Sequence, residues 1–331
     1  MTDGGSNSLG RDGIVEPTPK TVELAAELLR DGKLVAFPTE TVYGLGADAT
    51  RNDAVAAVYA VKGRPKSNPL IIHVPSLDAA SEIACFDKRA DMLAETFWPG
   101  PLTLILPRHP RCVVSIDACA GLATVALRIP ASDIALDLLR KSRRPIAGPS
   151  ANASGRTSPT TARHVRQGLG NAISMILDGG PCQVGIESTV IALADERPLL
   201  LRPGGIPVEK IERLIGLISE PGSDSDSTPR SPGRAVSHYA PRLFVRLDAT
   251  SVDADEALLA FGSDVLMGAA TTLNLSPGGD INEAAANLYR MLLELDDPVF
   301  KRIAVMALPD TGVGRAINDR LRRAAAPRSS E

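Results

Sequence analysis

Residues 21–38 read TVELAAELLRDGKLVAFP, a helix signal that runs straight into a strand signal. Val22, Ala25, Leu28 and Leu29 fall at helical spacing, which predicts a helix over 21–30 with Gly32 as its stop. Residues 34–37 are then a short apolar strand ending at Pro38. The same alternation continues outward. Residues 53–62 form a second helix, with Val55, Val58, Tyr59 and Val61 on its apolar side and Gly63 behind. Apolar runs follow at 70–74, 102–106, 124–129, 175–177, 188–193 and 199–201. They are rich in Val, Ile and Leu and bounded by Gly and Pro, so they read as strands. Ser132 caps a helix running to residue 141, and Pro207 opens one running to residue 217. The alternation predicts an α/β domain: a mixed, twisted sheet with flanking helices.

One stretch breaks the pattern. Residues 219–234, SEPGSDSDSTPRSPGR, contain no aliphatic or aromatic side chain. Such a segment buries too little surface to offset its ordering entropy, so it is read as a flexible linker. At roughly 150 residues per domain, 331 residues also predict two domains. The division is a disordered tail (1–12), a large domain (13–217), the linker (218–241) and a small α/β domain (242–327). In the small domain, 244–247, 265–267 and 303–308 read as strands. Residues 255–261, 281–295 and 315–325 read as helices, which predicts a small, Rossmann-like parallel sheet.

Composition excludes several classes. A net charge of −3 argues against a nucleic-acid coat protein, and 3% aromatic content argues against broad base-stacking platforms. Cys85, Cys112, Cys119 and Cys182 are too scattered for a disulfide scaffold and form no CxxC pair. Four histidines make a zinc site improbable. No apolar run approaches the ~18 residues of a membrane helix, and the polar start lacks a secretory h-region. A cytoplasmic location with no membrane contact is expected.

The chain has no GxxxxGK[ST] phosphate loop. Gly44-x-Gly46-x-x-Ala49 matches a dinucleotide fingerprint superficially, but residues 38–43 separate it from the preceding strand, where a fingerprint turns directly into a helix. More informative are polar residues at strand ends, where α/β folds collect ligands. They are Thr41, Lys62, Arg64, Asn68, His73, Arg128, Ser150, Asn152, Ser188 and Arg202. Each has a bland reading: Lys62 as a helix-terminal cation, Arg64 as a solvated charge, His73 as a core histidine, Ser150–Asn152 as a turn, Arg202 as a loop residue. Arg128, set in VALRIP, resists that treatment, because a buried arginine needs a carboxylate partner or a cleft. Taken together, Lys62, Arg64, Arg128 and Arg202 are equipment for a polyphosphate: arginine forks grip phosphate oxygens and lysine supplies a point charge. No Ser-His-Asp or Cys-His pair is evident. That predicts catalysis by positioning and charge stabilisation rather than by a protein nucleophile.

PTETVYGLG, KGRP followed by NPLIIHV, FWPGPLTLIL, VALRIP, GPSANASG, ESTVI and LRPGGI occur in this order over residues 13–216. This series closely resembles the YrdC-type L-threonylcarbamoyladenylate synthases. SPG at 231–233, HYAP at 238–241 and GVGRAINDRLRRAA at 312–325 resemble their long form with a second domain. The resemblance implies a YrdC-like fold and a reaction of L-threonine, bicarbonate and ATP. N-carboxythreonine would attack the α-phosphorus, giving threonylcarbamoyl-AMP and pyrophosphate. A transferase complex would then modify the adenosine beside the anticodon of ANN-decoding tRNAs. By resemblance Thr41, His73, Arg128, Gly148 and Ser188 match the threonine side. Arg64, Asn68, Thr124, Ser150, Ser158, Arg202 and Tyr239 match the ATP side. Lys62, Arg64, Ser150 and Asn152 match the catalytic Lys-x-Arg and Ser-x-Asn tetrad. Mg²⁺ would ride on the triphosphate rather than on protein ligands.

Tyr239, in the linker, reads either as a packing aromatic at a domain edge or as a lid that closes over nucleotide and excludes water. The linker departs from the long-form pattern at Arg234-Ala235, where a Met-like residue and Lys are expected. Two other readings come from different classes. A double-stranded RNA-binding module, with at most weak RNA contact here, would show steep salt dependence. Carbamoyl transfer in hydrogenase maturation would need an acylphosphatase region and Cys-rich zinc motifs, and the chain has neither.

Overall fold

The structure is a computed structural model that describes residues 13–220 and 238–327. The expected tail (1–12) and linker residues 221–237, with the SPG run and Arg234-Ala235, lie outside the described residues.

The large domain opens with β1 (Ile14–Val15), α1 (Pro19–Arg30), β2 (Val35–Phe37), β3 (Gly44–Asp48) and α2 (Asn52–Lys62). Next come β4 (Ile71–His73), α3 (Leu77–Ser81), α4 (Lys88–Phe97), β5 (Leu102–Pro107), β6 (Thr124–Arg128) and α5 (Asp133–Ser142). It closes with β7 (Ile146–Ala147), α6 (Ala162–Leu169), β8 (Met175–Leu177), β9 (Thr189–Ala192), β10 (Leu199–Arg202) and α7 (Val208–Ile215). These strands form one mixed sheet in the order β1-β8-β2-β3-β7-β4-β6-β5-β9-β10.

Local chemistry sets the boundaries. The Thr18 side chain accepts from the Thr21 amide and Pro19 occupies the first turn, so α1 begins earlier than its apolar spacing alone implies. Ser132 caps α5 in the same way. Strand alternation then builds two cores. Val35 and Phe37 face Val22, Ala25, Leu29, Leu138 and Leu139 of α1 and α5. Leu34 and Ala36 face the other side, where Val55 and Val58 of α2 and Leu93 of α4 pack. The glycines of the superficial dinucleotide match lie in β3 and make no phosphate loop. A Cβ at Gly44 or Gly46 would stand 3.0 Å from the Phe37 ring, so close packing explains both.

The small domain contains β11 (Val245–Arg246), β12 (Ala257–Ala260), β13 (Thr271–Asn274), α8 (Ile281–Glu294), β14 (Ile303–Val305) and α9 (Val313–Ala325). Its sheet, ordered β11-β14-β12-β13, is parallel throughout, as expected. Two local expectations are corrected. Residues 255–261 are no helix: Ala257–Ala260 form a strand, paired on both edges and fully buried. A short apolar run of ALLA fits either a buried helix or a buried strand, and only the sheet decides. Residues 265–267 form no strand, and Met267 is exposed; the edge strand lies at Thr271–Asn274. Similarly, Pro207 precedes α7 as its cap rather than entering its first turn.

Candidate active site

The centre of the sheet aligns the first functional groups. β4 and β6 run parallel with His73 opposite Arg128, and the Gly148 amide, just after β7, donates to the Ile71 carbonyl at 2.9 Å. Gly148 is required there, because a Cβ would sit 2.7 Å from His73 Nδ1. His73 stands edge-on to Phe37. The turn after β2 brings in Thr41, whose hydroxyl meets that of Thr39 at 2.8 Å.

Thr41, Ile71, His73 and Gly148 line a cavity of about 40 Å³ together with Arg64, Arg128, Ser150, Ser188, Arg202, His238 and Tyr239. The remaining predicted residues do not line it. Lys62 lies behind, its Nζ donating to the Ser150 and Asn152 carbonyls. Asn68 holds Arg64 in place, its Oδ1 accepting from Nη2 at 2.7 Å. Asn152 is buried, with Nδ2 donating to the Ala153 and Arg156 carbonyls. The Ser158 hydroxyl donates to Glu187 Oε1 at 2.6 Å. Thr124 is at the start of β6, two residues before Ala126, which pairs with Ile71.

Arg128 satisfies both expectations for a buried arginine. It faces the cavity, and its Nη2 lies 2.8 Å from Glu40 Oε1 with both side chains buried. The ion pair is close but not aligned as a hydrogen bond: both Glu40 oxygens and Arg128 Nη2 lack a hydrogen-bond partner. His73 Nδ1 and Asn152 Oδ1 lack one too. Buried polar atoms are seldom left unsatisfied, so Arg128 Nη2 and His73 Nδ1, both on residues lining the cavity, are a signature of a site that receives polar groups.

Burial dominates the electrostatics. It pushes His73 down to about 3, helped by Arg128, so the imidazole is neutral. It lowers Lys62 well below the ordinary lysine range, with Arg64 beside it adding repulsion. It brings Arg64 down to about 10. For Glu187 burial works in the opposite direction, yet Arg320, Arg202 and Ser158 outweigh it and hold the carboxyl down to about 2. Tyr239 is sealed in at 1% exposure with φ +62°, stacked on Tyr289 at 5.8 Å and lying under the Arg320 guanidinium. His238 packs against it, and burial drops that imidazole to about 3.

Sequence reasoning assigned no role to Glu40, Glu187, Tyr289 or Arg320. For Arg320 a signal existed. Val313, Ala316, Ile317 and Leu321 form the buried stripe of α9, and residue 320 falls in phase with them. An arginine on an apolar stripe needs a buried partner.

The arrangement is that of a cleft enzyme: cations, hydroxyls and the unpartnered ring nitrogens of His73 and His238 converge on one small cavity, with a second domain packed against it. A family pattern described as telomere recombination, the Sua5–YciO–YrdC family, matches residues 27–204. A threonylcarbamoyl-AMP synthase C-terminal domain pattern matches residues 206–326. A threonylcarbamoyl-AMP synthase from Pyrococcus abyssi is 42% identical over 92% of this chain and 93% of its own. One from Bacillus subtilis is 43% identical over 92% of each chain. The solved structure of P. abyssi Sua5 complexed with L-threonine superimposes with a TM-score of 0.85 at 40% identity, covering 94% of this chain and 96% of that one. The chain belongs to the threonylcarbamoyl-AMP synthase family, in its two-domain form, and is an enzyme of the nucleotidyltransferase type. Among the described residues no helix is long and apolar enough to cross a membrane.

Proposed function

We propose that the cavity holds L-threonine against Thr41, His73, Arg128, Gly148 and Ser188, and ATP against Arg64, Ser150, Arg202 and Tyr239, with Asn68 serving the nucleotide by holding Arg64. Ser158 and Thr124 contribute from behind and beside this group. The reaction joins L-threonine, bicarbonate and ATP into threonylcarbamoyl-AMP and pyrophosphate. The observation that carries the assignment is the set of buried, unsatisfied polar atoms on lining residues beside a cationic wall: Arg128 Nη2, His73 Nδ1 and His238 Nδ1, in one cavity with Arg64 and Arg202.

Arg128 receives the threonine carboxylate, sharing its charge between substrate and Glu40. Neutral His73 accepts a hydrogen bond rather than adding charge. The threonine nitrogen forms a bond to the bicarbonate carbon with loss of water, and the resulting carbamate presents an oxygen to the α-phosphorus. That brings two anions together, and the repulsion is what Arg64 and Arg202 offset in the transition state, with Lys62 bracing the Ser150 and Asn152 carbonyls behind them. Pyrophosphate leaves as the new P–O bond forms. Magnesium enters on the triphosphate as part of the substrate. About 40 Å³ is little more than a water's volume, so the cavity must widen to admit ATP, and Tyr239 is the lining residue assigned to open and reclose over it. The product passes to a transferase complex that acts on the adenosine beside the anticodon, in the cytoplasm.

The test is pyrophosphate release from MgATP with and without L-threonine and bicarbonate, with serine as control. Release that needs both co-substrates supports the reading. Arg64→Ala removes a charge at the reacting phosphates, so turnover falls by about 10²-fold or more with the fold intact. Wild-type turnover in a folded Arg64→Ala protein overturns the assignment. Absent release, with duplex RNA binding of steep salt dependence, favours the binding-module reading.

A further inference from the structure

Among the described residues lining the cavity, Glu187 is the one carboxylate, and it faces a site that must receive a triphosphate. A free carboxylate there would repel the substrate and compete for its arginines. The small domain deals with that charge. Arg320 of α9, with no exposed surface, places Nε 2.7 Å from Glu187 Oε2. Tyr289 of α8 donates its hydroxyl to the same carboxylate at 2.9 Å. Arg320 Nη2 also donates to the Pro203 carbonyl at 2.9 Å, one residue beyond Arg202. The strands meet closely at this point: a Cβ on Gly204 would lie 2.3 Å from the Ser188 carbonyl carbon. A single side chain from the small domain therefore grips both loops that carry Ser188 and Arg202 and offsets the Glu187 charge between them, while its Nη1 also pairs with Asp319 Oδ2 at 2.6 Å.

We propose that Arg320 is a positioning residue for the nucleotide half of the site. It neutralises Glu187 and fixes the Arg202–Gly204 loop, so that Arg202 and Arg64 are presented to the triphosphate. Tyr289 orients the same carboxylate. This gives the small domain a part in ATP binding, made through Glu187 and the Pro203 carbonyl. The proposal rests on the synthase reading, so co-substrate-dependent pyrophosphate release by the wild-type protein is established first. Failure there counts against that reading, not against Arg320.

The experiment is steady-state kinetics on the full chain, varying MgATP and L-threonine separately. Arg320→Gln unmasks Glu187 and raises KM for ATP on the order of tenfold. That is the scale of one unit charge about 10 Å away at an effective dielectric near 20. KM for L-threonine moves much less. Glu187→Gln, which keeps hydrogen-bonding capacity toward Ser158 and Tyr289, lowers KM for ATP. The double variant Glu187→Gln/Arg320→Gln recovers most of the ATP affinity lost in Arg320→Gln. A merely structural clamp predicts the reverse, with the two losses adding. An unchanged KM for ATP in Arg320→Gln, or no recovery in the double variant, overturns the proposal. Should Arg320→Gln fail to fold, Glu187→Gln decides alone: a raised KM for ATP would mean that Glu187 serves the nucleotide directly.

Discussion

Replacing Glu40 with Gln isolates the buried ion pair behind the threonine side of the site. Glu40 Oε1 and Arg128 Nη2 are 2.8 Å apart, with side-chain exposures of 6% and 4%. At that separation and an effective dielectric near 20, the attraction is about 6 kcal/mol before desolvation is counted. Breaking a buried pair by removing one partner leaves the other charge stranded, which costs about 3–5 kcal/mol. Domains of this size lose about 2–4 °C of Tm per kcal/mol, so Glu40→Gln unfolds at least ~6 °C below wild type. L-threonine reverses part of the loss, because its carboxylate now has Arg128 to itself. A ligand at a hundredfold its Kd adds about 2.7 kcal/mol, and the variant's lower Kd makes its recovery larger than that of wild type at equal threonine. The assay is differential scanning calorimetry at neutral pH, across a threonine series, with serine as control. A loss under about 1 kcal/mol would refute the pairing as a buried charge contact. Equal threonine shifts in both proteins would refute Arg128 as the carboxylate receptor.

Two further outcomes follow from the same geometry. Gly148→Ala drives a Cβ toward His73 Nδ1 at 2.7 Å; overpacking of this kind costs about 1–3 kcal/mol. Isothermal titration should show L-threonine binding weakened more than nucleotide binding, and unaltered threonine affinity would remove Gly148 from the site. Glu187 provides the pH prediction. Its folded-state pKa of about 2 lies below the ordinary 4.5, so its stabilisation is complete above pH 4.5 and is lost as pH falls through 2. Wild type should therefore lose ~3 kcal/mol relative to Glu187→Gln across that window in denaturant titrations. A stability difference independent of pH between 5 and 2 would sink the charge assignment.

How legible the site was depends on the kind of signal each residue leaves. Arg128 was conspicuous because a charge inside an apolar strand violates the pattern of its own neighbours. His73 was visible for the same reason, and the parallel register of β4 and β6 then placed the two side by side. Glu40 leaves no such trace. It sits in a polar turn where a carboxylate is ordinary, and only folding brings it against Arg128. Lys62 shows the limit in another way. Its spacing from Arg64 made it a candidate, but spacing cannot tell a residue that lines a cavity from one that braces the loop behind it. Packing decided the latter, through the Ser150 and Asn152 carbonyls.

By itself the sequence determined the α/β class, the two-part layout, most element positions and the ordered motifs that mark the family. Those properties are local: hydrophobic period, caps and turn residues act within a few positions of the chain. Tertiary structure alone decided that residues 257–260 form a strand, since ALLA carries no period and takes the conformation its buried neighbours impose. It alone joined Arg320 to Glu187 across 133 positions, because a contact between domains is fixed by how two finished surfaces meet, and no stretch of chain encodes that meeting locally.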